Sequence, residues 1–162
     1  METKTCVFPG SFDPVTRGHL DLIERGAAIF DRVIVAVLHN PAKQGRFPVE
    51  KRLQLLAKAC AHLPNVTFDS FDGLLVDYMR RTGATAVLRG LRTVSDFENE
   101  IQMAQLNRQM APQVDTLFLM TAPEHASLSS SVVREIGLFG GDISPFVPET
   151  IAAEVAQILS NQ

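Results

Sequence analysis

Five short apolar runs constrain the fold of this chain more than any other feature of its sequence. They are Cys6–Phe8, Val33–Leu38, Val66–Phe68, Ala86–Leu88 and Thr116–Met120. Each run is apolar throughout rather than alternating, which is typical of parallel strands that are covered on both faces. The stretches between them have helical spacing of their apolar residues. This alternation predicts an α/β fold, a doubly wound domain with a five-stranded parallel sheet and right-handed crossovers.

The chain length and two helix signals complete the predicted organisation. A length of 162 residues, with no internal repeat or linker, predicts one domain over residues 1–162. The segment Ser95–Glu98 has the form of a capping box and predicts a helix that runs towards Met110. Pro148 followed by Glu149 suits the first turn of a last helix.

Charge and hydropathy exclude several classes of protein. The net charge of −3 argues against a large nucleic-acid interface, which normally needs a basic face. No apolar stretch approaches the roughly 20 residues that span a bilayer, and the first residues lack the features of a secretory signal. We therefore expect a soluble, cytoplasmic protein that binds neither nucleic acid nor membrane.

The two cysteines and the metal-binding residue types give no sign of a structural metal. Cys6 lies in an apolar run and Cys60 on a helical stripe, so both are interpreted as buried hydrophobic residues rather than as a pair. No spacing of Cys, His, Asp or Glu resembles a zinc or calcium site.

The residues after each strand are the candidates for function, because ligands of such sheets bind beyond the carboxyl ends of the strands. The segment Pro9–His19 follows the first strand. Gly10 and Gly18 permit close backbone approach to a ligand, and His19 lies at a helix start, where unpaired N–H groups favour an anion. A tight strand-to-helix turn is the alternative, but a hydroxyl, two glycines and a histidine together favour a phosphate site.

Cations follow the second and fourth strands. Lys43 lies in a Pro/Gly-containing loop and could reach an anionic ligand, although such lysines are commonly solvated surface residues. Arg89 and Arg92, separated by Gly90 and Leu91, could present two guanidinium forks to one phosphate chain. Surface ion pairs are the alternative for the arginines, because acidic residues follow at 96, 98 and 100.

Three serines follow the fifth strand, at residues 129–131. One serine at a helix start is ordinarily a cap, and we expect that one of these is. Three exceed what capping needs, so the other hydroxyls and the first N–H groups of the helix could hold further phosphates.

These motifs together resemble those of a known family. The segment Gly10–His19 is similar to the signature of the nucleotidyltransferase superfamily, and Leu128–Arg134 is similar to its Ile-Ser-Ser-Ser/Thr-x-x-Arg/Lys motif. Thr16-Arg17-Gly18-His19, together with Arg89–Arg92 and Asp96–Glu100, resembles the bacterial phosphopantetheine adenylyltransferases. Two departures are Ser11, where threonine is frequent, and His125, where an aromatic residue is frequent.

The resemblance implies a Rossmann-like nucleotidyltransferase fold and a reaction. ATP and 4′-phosphopantetheine would give dephospho-coenzyme A and pyrophosphate by in-line attack, without a covalent enzyme intermediate. An acceptor phosphate is already ionised at pH 7 and needs no general base. A sister enzyme with another acceptor and a non-catalytic nucleotide sensor are the alternatives.

The resemblance also implies roles for individual residues. The catalytic residues would be Ser11, His19, Lys43 and Arg92. The ATP-binding residues would be Ser11, Phe12, His19, Arg92, Glu100, Ser130 and Ser131. The phosphopantetheine-binding residues would be Ser11, Lys43, Leu74, Leu75, Arg89, Asn107 and Glu135.

Cofactor and assembly are further expectations from the resemblance. Mg²⁺ would be bound mainly through phosphates rather than by a dedicated carboxylate cluster. The resembled family forms homohexamers, and coenzyme A would be a feedback inhibitor.

Overall fold

Five strands form one parallel sheet in the computed structural model, which describes residues 2–161. They are β1 (Thr5–Gly10), β2 (Arg32–Leu38), β3 (Val66–Phe71), β4 (Ala86–Leu91) and β5 (Asp115–Met120). Their order across the sheet is β3-β2-β1-β4-β5, and every neighbouring pair is parallel. The predicted α/β class and the five-stranded parallel sheet are confirmed.

Six α-helices connect and follow the strands in this same described range. They are α1 (Arg17–Ile29), α2 (Val49–Ala59), α3 (Leu75–Thr82), α4 (Val94–Met110), α5 (Ser130–Leu138) and α6 (Glu149–Ser160). The strand order reverses between β1 and β4, so a crevice opens at the carboxyl ends of these two strands.

The sheet separates two apolar cores of unequal size. The larger core joins β1 and β2 to α1, α2, α5 and α6, and the smaller one joins the opposite face of the sheet to α3. Ile23, Leu55, Leu56 and Leu159 are at most 1% exposed in the larger core. Each such side chain contributes about 1.5–3 kcal/mol when it is removed from water. The larger core therefore holds the helices that carry the loops after β1 and β2.

Burial of the strands differs from the sequence-based expectation at the sheet edges. Residues Cys6–Pro9 of β1 and Val33–Val37 of β2 are buried throughout, as predicted. The edge strands β3 and β5 have alternating or partial exposure, and Met120 is 67% exposed. An edge strand has a neighbour on one side only, so helices cover it less completely.

The start of α4 also differs from the prediction. Thr93, not Ser95, is the N-cap, and its Oγ1 accepts a hydrogen bond from the backbone N–H of Asp96 at 3.2 Å. The predicted capping box at Ser95–Glu98 was wrong because Thr93 offers the same hydroxyl two residues earlier. The predicted last helix is confirmed, since α6 begins at Glu149 directly after Pro148.

Candidate active site

A cleft of about 910 Å³ lies at the carboxyl ends of the strands, where the strand order reverses. All the predicted site residues line it except Glu135. They are Ser11, Phe12, His19, Lys43, Leu74, Leu75, Arg89, Arg92, Glu100, Asn107, Ser130 and Ser131. Glu135 is exposed on α5 and is not among the lining residues, so this chain alone does not bring it to the cleft.

His19 lies in the first turn of α1 and is held by the residue that caps this helix. Thr16 accepts a hydrogen bond from the His19 backbone N–H at 3.3 Å, and the Thr16 backbone N–H donates to His19 Nδ1 at 3.0 Å. Nδ1 is therefore an acceptor, which places the ring proton on Nε2. Burial first, and then the positive charges of Arg92 and Arg89, lower the pKa of His19 from 6.5 to about 4. At neutral pH this histidine is an uncharged Nε2–H donor.

The turn between β1 and α1 has an unusual backbone that packing holds in place. Phe12 has φ of 46°, in the left-handed region that a bulky residue rarely adopts. Its ring is 2% exposed and makes edge-to-face contacts with Phe8 and His19, at centroid distances of 5.3 and 5.0 Å. The preceding residue, Ser11, remains exposed at the cleft. Buried aromatic contacts thus fix the turn that presents the Ser11 hydroxyl and the His19 ring.

Arg89, at the end of β4, is held by two acceptors within the protein. Its Nε and Nη2 donate to the two carboxylate oxygens of Glu100 at 2.8 and 2.6 Å, and its Nη1 donates to the Pro9 carbonyl at 2.8 Å. The bidentate pair fixes the plane of the guanidinium group. Two of its five N–H groups remain available for a ligand. Both carboxylate oxygens of Glu100, a predicted ATP-binding residue, therefore accept hydrogen bonds from Arg89 in this structure.

Arg92 and the serine-rich helix start lie on the same side of the cleft. Arg92 Nη1 donates to the Leu128 carbonyl at 2.8 Å, and its Nε donates to Asp96 at 3.3 Å. Ser129 is the N-cap of α5, since its Oγ accepts from the Val132 N–H at 3.2 Å, which confirms that one of the three serines is a cap. Ser130 and Ser131 follow in the first turn, where free N–H groups favour anions.

Three charged residues at this site were not identified from the sequence as site residues. Asp13 and Arg52 are 5% and 6% exposed, and Arg134 donates to the Asp13 carbonyl at 2.6 Å and to Ser131 Oγ at 3.2 Å. Arg52 lies on α2, and a single charged residue in a helical stretch of sequence is ordinarily interpreted as solvent-exposed. Arg52 is buried because it pairs with Asp13, which is remote in sequence. The sequence signal that could have pointed to this pair is the acidic residue within the Phe12-Asp13-Pro14 turn.

An apolar wall extends from the polar end of the cleft. Leu74 is 55% exposed at the N-cap of α3, and Met103 is 53% exposed on α4. Asn107 is 8% exposed and is the buried residue of α4. A long ligand with an apolar arm and amide groups would match this wall, because apolar surface and one amide side chain lie along it.

Lys43, which was predicted, and His125, one of the departures from the family pattern, both line the rim of the cleft. Lys43 is exposed, and its backbone N–H donates to the Asn40 carbonyl at 3.0 Å. His125 follows β5 within a short 3₁₀ turn, Pro123–His125, and a Cβ added to Gly18 would lie 3.4 Å from the His125 Cβ. His125 therefore lies directly beside the start of α1.

Residues 2–161 contain neither a cluster of metal-binding side chains nor a membrane-spanning helix. No three or more His, Cys, Asp or Glu side chains in this range lie close enough together to hold a metal ion. In the same part of the chain, no helix has both the length and the apolar character that crossing a bilayer requires. The two cysteines are buried free thiols, and burial raises the pKa of each to about 12.

Comparison with known proteins gives one family and many close relatives. Residues 7–136 match the cytidylyltransferase-like family. A phosphopantetheine adenylyltransferase of Caldanaerobacter subterraneus subsp. tengcongensis is 51% identical over 154 residues, which cover 95% of this chain and 96% of that protein. Another, from Synechococcus elongatus, is 56% identical over 148 residues, which cover 91% of this chain and 89% of that protein.

A solved structure supports the fold independently. A Vibrio parahaemolyticus protein described as a nicotinate-nucleotide adenylyltransferase superposes with a TM-score of 0.67, covering 99% of this chain and 93% of its own. The two sequences are 18% identical, so the likeness concerns the fold alone.

Proposed function

Because this chain belongs to the phosphopantetheine adenylyltransferase family of the cytidylyltransferase-like proteins, we propose that it transfers the adenylyl group of ATP to 4′-phosphopantetheine. The products are dephospho-coenzyme A and pyrophosphate, and the reaction is reversible. One phosphate oxygen of the acceptor forms a bond to the α-phosphorus while the bond to the pyrophosphate oxygen breaks. No covalent enzyme intermediate is needed.

The observation that carries this proposal is the neutral, oriented His19 beside two guanidinium groups. Its pKa of about 4 keeps the ring uncharged at pH 7, and its fixed tautomer leaves Nε2–H as a donor. Arg89 and Arg92 supply positive charge without any proton transfer. The phosphate acceptor is ionised already, so the site needs to position groups and stabilise charge rather than to supply a base.

The donor end of the reaction is assigned to the groups after β4 and β5. Arg92, Ser130 and Ser131 would hold the β- and γ-phosphates of ATP, and His19 would donate to the oxygens of the α-phosphate as it becomes pentacovalent. Phe12 and Glu100 complete the proposed ATP site, although the Glu100 carboxylate is already paired with Arg89.

The acceptor end is assigned to the opposite rim and the apolar wall. Ser11 and Lys43 would orient the acceptor phosphate and the α-phosphate, and Arg89 would hold the acceptor phosphate. The pantetheine arm would lie along Leu74, Leu75 and Asn107, which line the same cleft. Glu135 would join this set only from a neighbouring copy, since it is outside the lining of its own chain.

We propose Mg²⁺ as the cofactor, held through the phosphate oxygens of ATP. In that role it would neutralise charge on the triphosphate and on the pyrophosphate leaving group. Oxygen ligands from phosphates suit this hard cation, which usually takes few ligands from the protein.

The assembly is proposed to be a homohexamer in the cytoplasm, where ATP is available. The apolar residues of α4 support self-association, because a single chain leaves them in water. Those at least 43% exposed and outside the lining of the cleft are Val94, Phe97 and Leu106. Leu106→Glu on this face should give a smaller species in sedimentation velocity, whereas Ile29→Glu, at an exposed site of α1, should not. A wild-type monomer at micromolar concentration would contradict the proposal.

Coenzyme A is proposed as a feedback inhibitor that competes for the same cleft. It contains both the adenylyl group and the pantetheine arm of the product, so it presents the features that the two ends of the cleft would bind. Competitive inhibition of pyrophosphate release against both substrates is the expected result.

The activity itself is tested by pyrophosphate release from the purified protein with ATP, Mg²⁺ and 4′-phosphopantetheine. Nicotinate mononucleotide and glycerol 3-phosphate serve as alternative acceptors and CTP as an alternative donor. Release with ATP and phosphopantetheine alone, with dephospho-coenzyme A detected by mass, is expected. Release with another pair would move the protein to a sister activity, and ATP binding without release from any pair would favour a nucleotide sensor.

A further inference from the structure

Arg52 is a buried cation that none of the roles above uses. Its side chain lies on α2 and is 7% exposed. Its Nε donates to the Phe47 carbonyl at 2.7 Å, and its Nη1 donates to the Ser11 carbonyl at 3.2 Å. One guanidinium group therefore bonds two separate segments, the turn after β1 and the end of the loop after β2.

Asp13 is the counter-ion of Arg52 and joins the same two segments. Its Oδ1 lies 3.5 Å from Arg52 Nε and accepts from the Phe47 N–H at 2.8 Å. Its Oδ2 accepts from the Arg46 N–H at 2.8 Å. A carboxylate on the first segment thus receives two consecutive backbone donors of the second, and such charge-assisted bonds are short and directional.

Gly45 shows how closely the second segment approaches Arg52. A Cβ added at residue 45 would overlap the guanidinium group of Arg52 and would lie 3.0 Å from Asp13 Oδ2. Any side chain here would push the guanidinium group or the loop away. The loop that carries Lys43 therefore packs against the Asp13–Arg52 pair at Gly45, two residues after Lys43 and before α2 begins.

A buried ion pair of this kind adds little to the stability of the fold, but it fixes the relative positions of the segments that it joins. Desolvation of two charges offsets much of their attraction, so apolar side chains of similar volume often stabilise a core as well. Apolar side chains cannot, however, fix the direction of two loops at once. Lys43 and Ser11 are both exposed, and the backbone that Asp13 and Arg52 hold determines where they lie.

We propose that Arg52 is a positioning residue for the acceptor phosphate, acting through Lys43 and Ser11. With Asp13 as its partner, it holds the two loops at the separation at which the Lys43 ammonium group and the Ser11 hydroxyl reach one phosphate. Arg52 itself does not contact that phosphate. This inference rests on the proposed function, in which Lys43 and Ser11 bind the acceptor.

The test is a double-mutant cycle of Arg52→Gln with Lys43→Ala, measured as pyrophosphate release at varied phosphopantetheine. Because a misplacement of about 1 Å can cost roughly 10²-fold in rate, we expect Arg52→Gln alone to lower kcat/KM for the acceptor by about 10–100-fold. In the Lys43→Ala background the same change should lower it by a clearly smaller factor, since Ser11 is then the only one of the two groups left to be positioned. The Kd of ATP, measured by calorimetry, should change much less than kcat/KM for the acceptor, because Arg92, Ser130 and Ser131 would still hold the β- and γ-phosphates.

Three further variants make the outcome decisive. Lys58→Gln removes a cation from the same helix at an exposed ion pair with Glu154, and should leave both parameters unchanged. Gly45→Ala displaces the guanidinium group while keeping its charge, and should reproduce the selective acceptor defect even if Arg52→Gln does not fold. Arg52→Lys can reach only one of the two carbonyls and should recover part of the loss.

The outcomes distinguish the inference from the proposed function. Additive effects in the cycle, or equal losses for ATP and the acceptor, would overturn the positioning role while the wild-type enzyme still transfers adenylyl groups. Absence of transfer by the wild-type enzyme would overturn the proposed function and this inference together.

Discussion

Helices α1 and α4 begin at the same cleft, each with a threonine cap, yet they are held in opposite ways. Thr16 is 2% exposed, and its backbone N–H donates to the His19 ring while its side chain accepts from the His19 backbone N–H. The start of α1 is therefore a complete capping box. Thr93 is exposed, and α4 buries only Asn107 of its seventeen residues. The start of α1 is held by a buried cap, whereas the start of α4 is held by an exposed cap and by the ion pair between Arg92 and Asp96.

This difference shows how one local device can serve two purposes. A buried cap fixes His19 in one tautomer and one orientation, which suits a group that must meet developing charge. An exposed cap leaves Arg92, just before α4, free to exchange partners with water or ligand. The rim built from the β1 turn is therefore preorganised, and the rim built from the start of α4 is adaptable.

The largest effect is expected at the preorganised rim, from His19→Ala. Loss of one donor to developing charge typically lowers kcat by about 10²–10³-fold, which corresponds to roughly 2.7–4 kcal/mol of barrier. The measurement is kcat for pyrophosphate release at saturating substrates, with circular dichroism to verify the fold. His62→Ala is the control, because His62 pairs with Glu24 at an exposed site. A His19→Ala enzyme with near-normal kcat would remove His19 from the mechanism.

The protonation of His19 gives the next test of the same rim. With a folded-state pKa of about 4 against 6.5 when exposed, the unfolded chain binds more protons between these pH values. Unfolding free energy should therefore rise with pH from about 4 to 6.5, and this contribution is lost as pH falls through that window. Nitrogen-15 NMR should find the neutral Nε2–H form of His19 at pH 5.5, with His19→Gln to assign its signal. A cationic ring at that pH would contradict a neutral His19 that accepts at Nδ1 and donates at Nε2.

Removing the two caps compares the rims directly. Thr16→Val should cost about 1–2 kcal/mol of unfolding free energy, because the His19 N–H is left without its acceptor in a buried place. Thr93→Val should cost about 0.5 kcal/mol, since water can replace an exposed hydroxyl. Urea denaturation of both variants measures this difference, and each serves as the control for the other. Equal losses would mean that the two helix starts are held alike.

The smallest effect is expected at the adaptable rim, from Asp96→Asn. Asp96 accepts from the Arg92 backbone N–H and from its Nε, at 3.2 and 3.3 Å, in an exposed pair. Stability should change by less than about 1 kcal/mol. The KM for ATP should fall by up to about fivefold, since Arg92 is released for phosphate. Asp77→Asn, which removes an exposed partner of Arg80, should leave that KM unchanged. A raised KM would show that Asp96 supports Arg92 rather than competes for it.

The sequence was sufficient for the features that depend on periodicity and on order along the chain. The five apolar runs predicted five parallel strands, and the rule that ligands bind beyond strand ends selected the segments that line the cleft. It was insufficient where two nearby residues offer the same chemistry. Ser95 and Thr93 both carry a hydroxyl, and only the backbone path decided that Thr93 caps α4.

What the sequence determined by itself is therefore the α/β fold and the neighbourhood of the phosphate-binding groups, because continuous apolar runs and motif spacing are local properties. Only the tertiary structure decided the partners of the charged groups. Asp13 and Arg52 are far apart in the chain and become an ion pair because α2 lies beside the turn after β1. The sequence offered acidic residues 96, 98 and 100 as partners of the two arginines, and the structure decided that Glu100 pairs with Arg89 and Asp96 with Arg92. Ion pairing in a folded protein follows three-dimensional neighbours and burial, neither of which is encoded in any short stretch of residues.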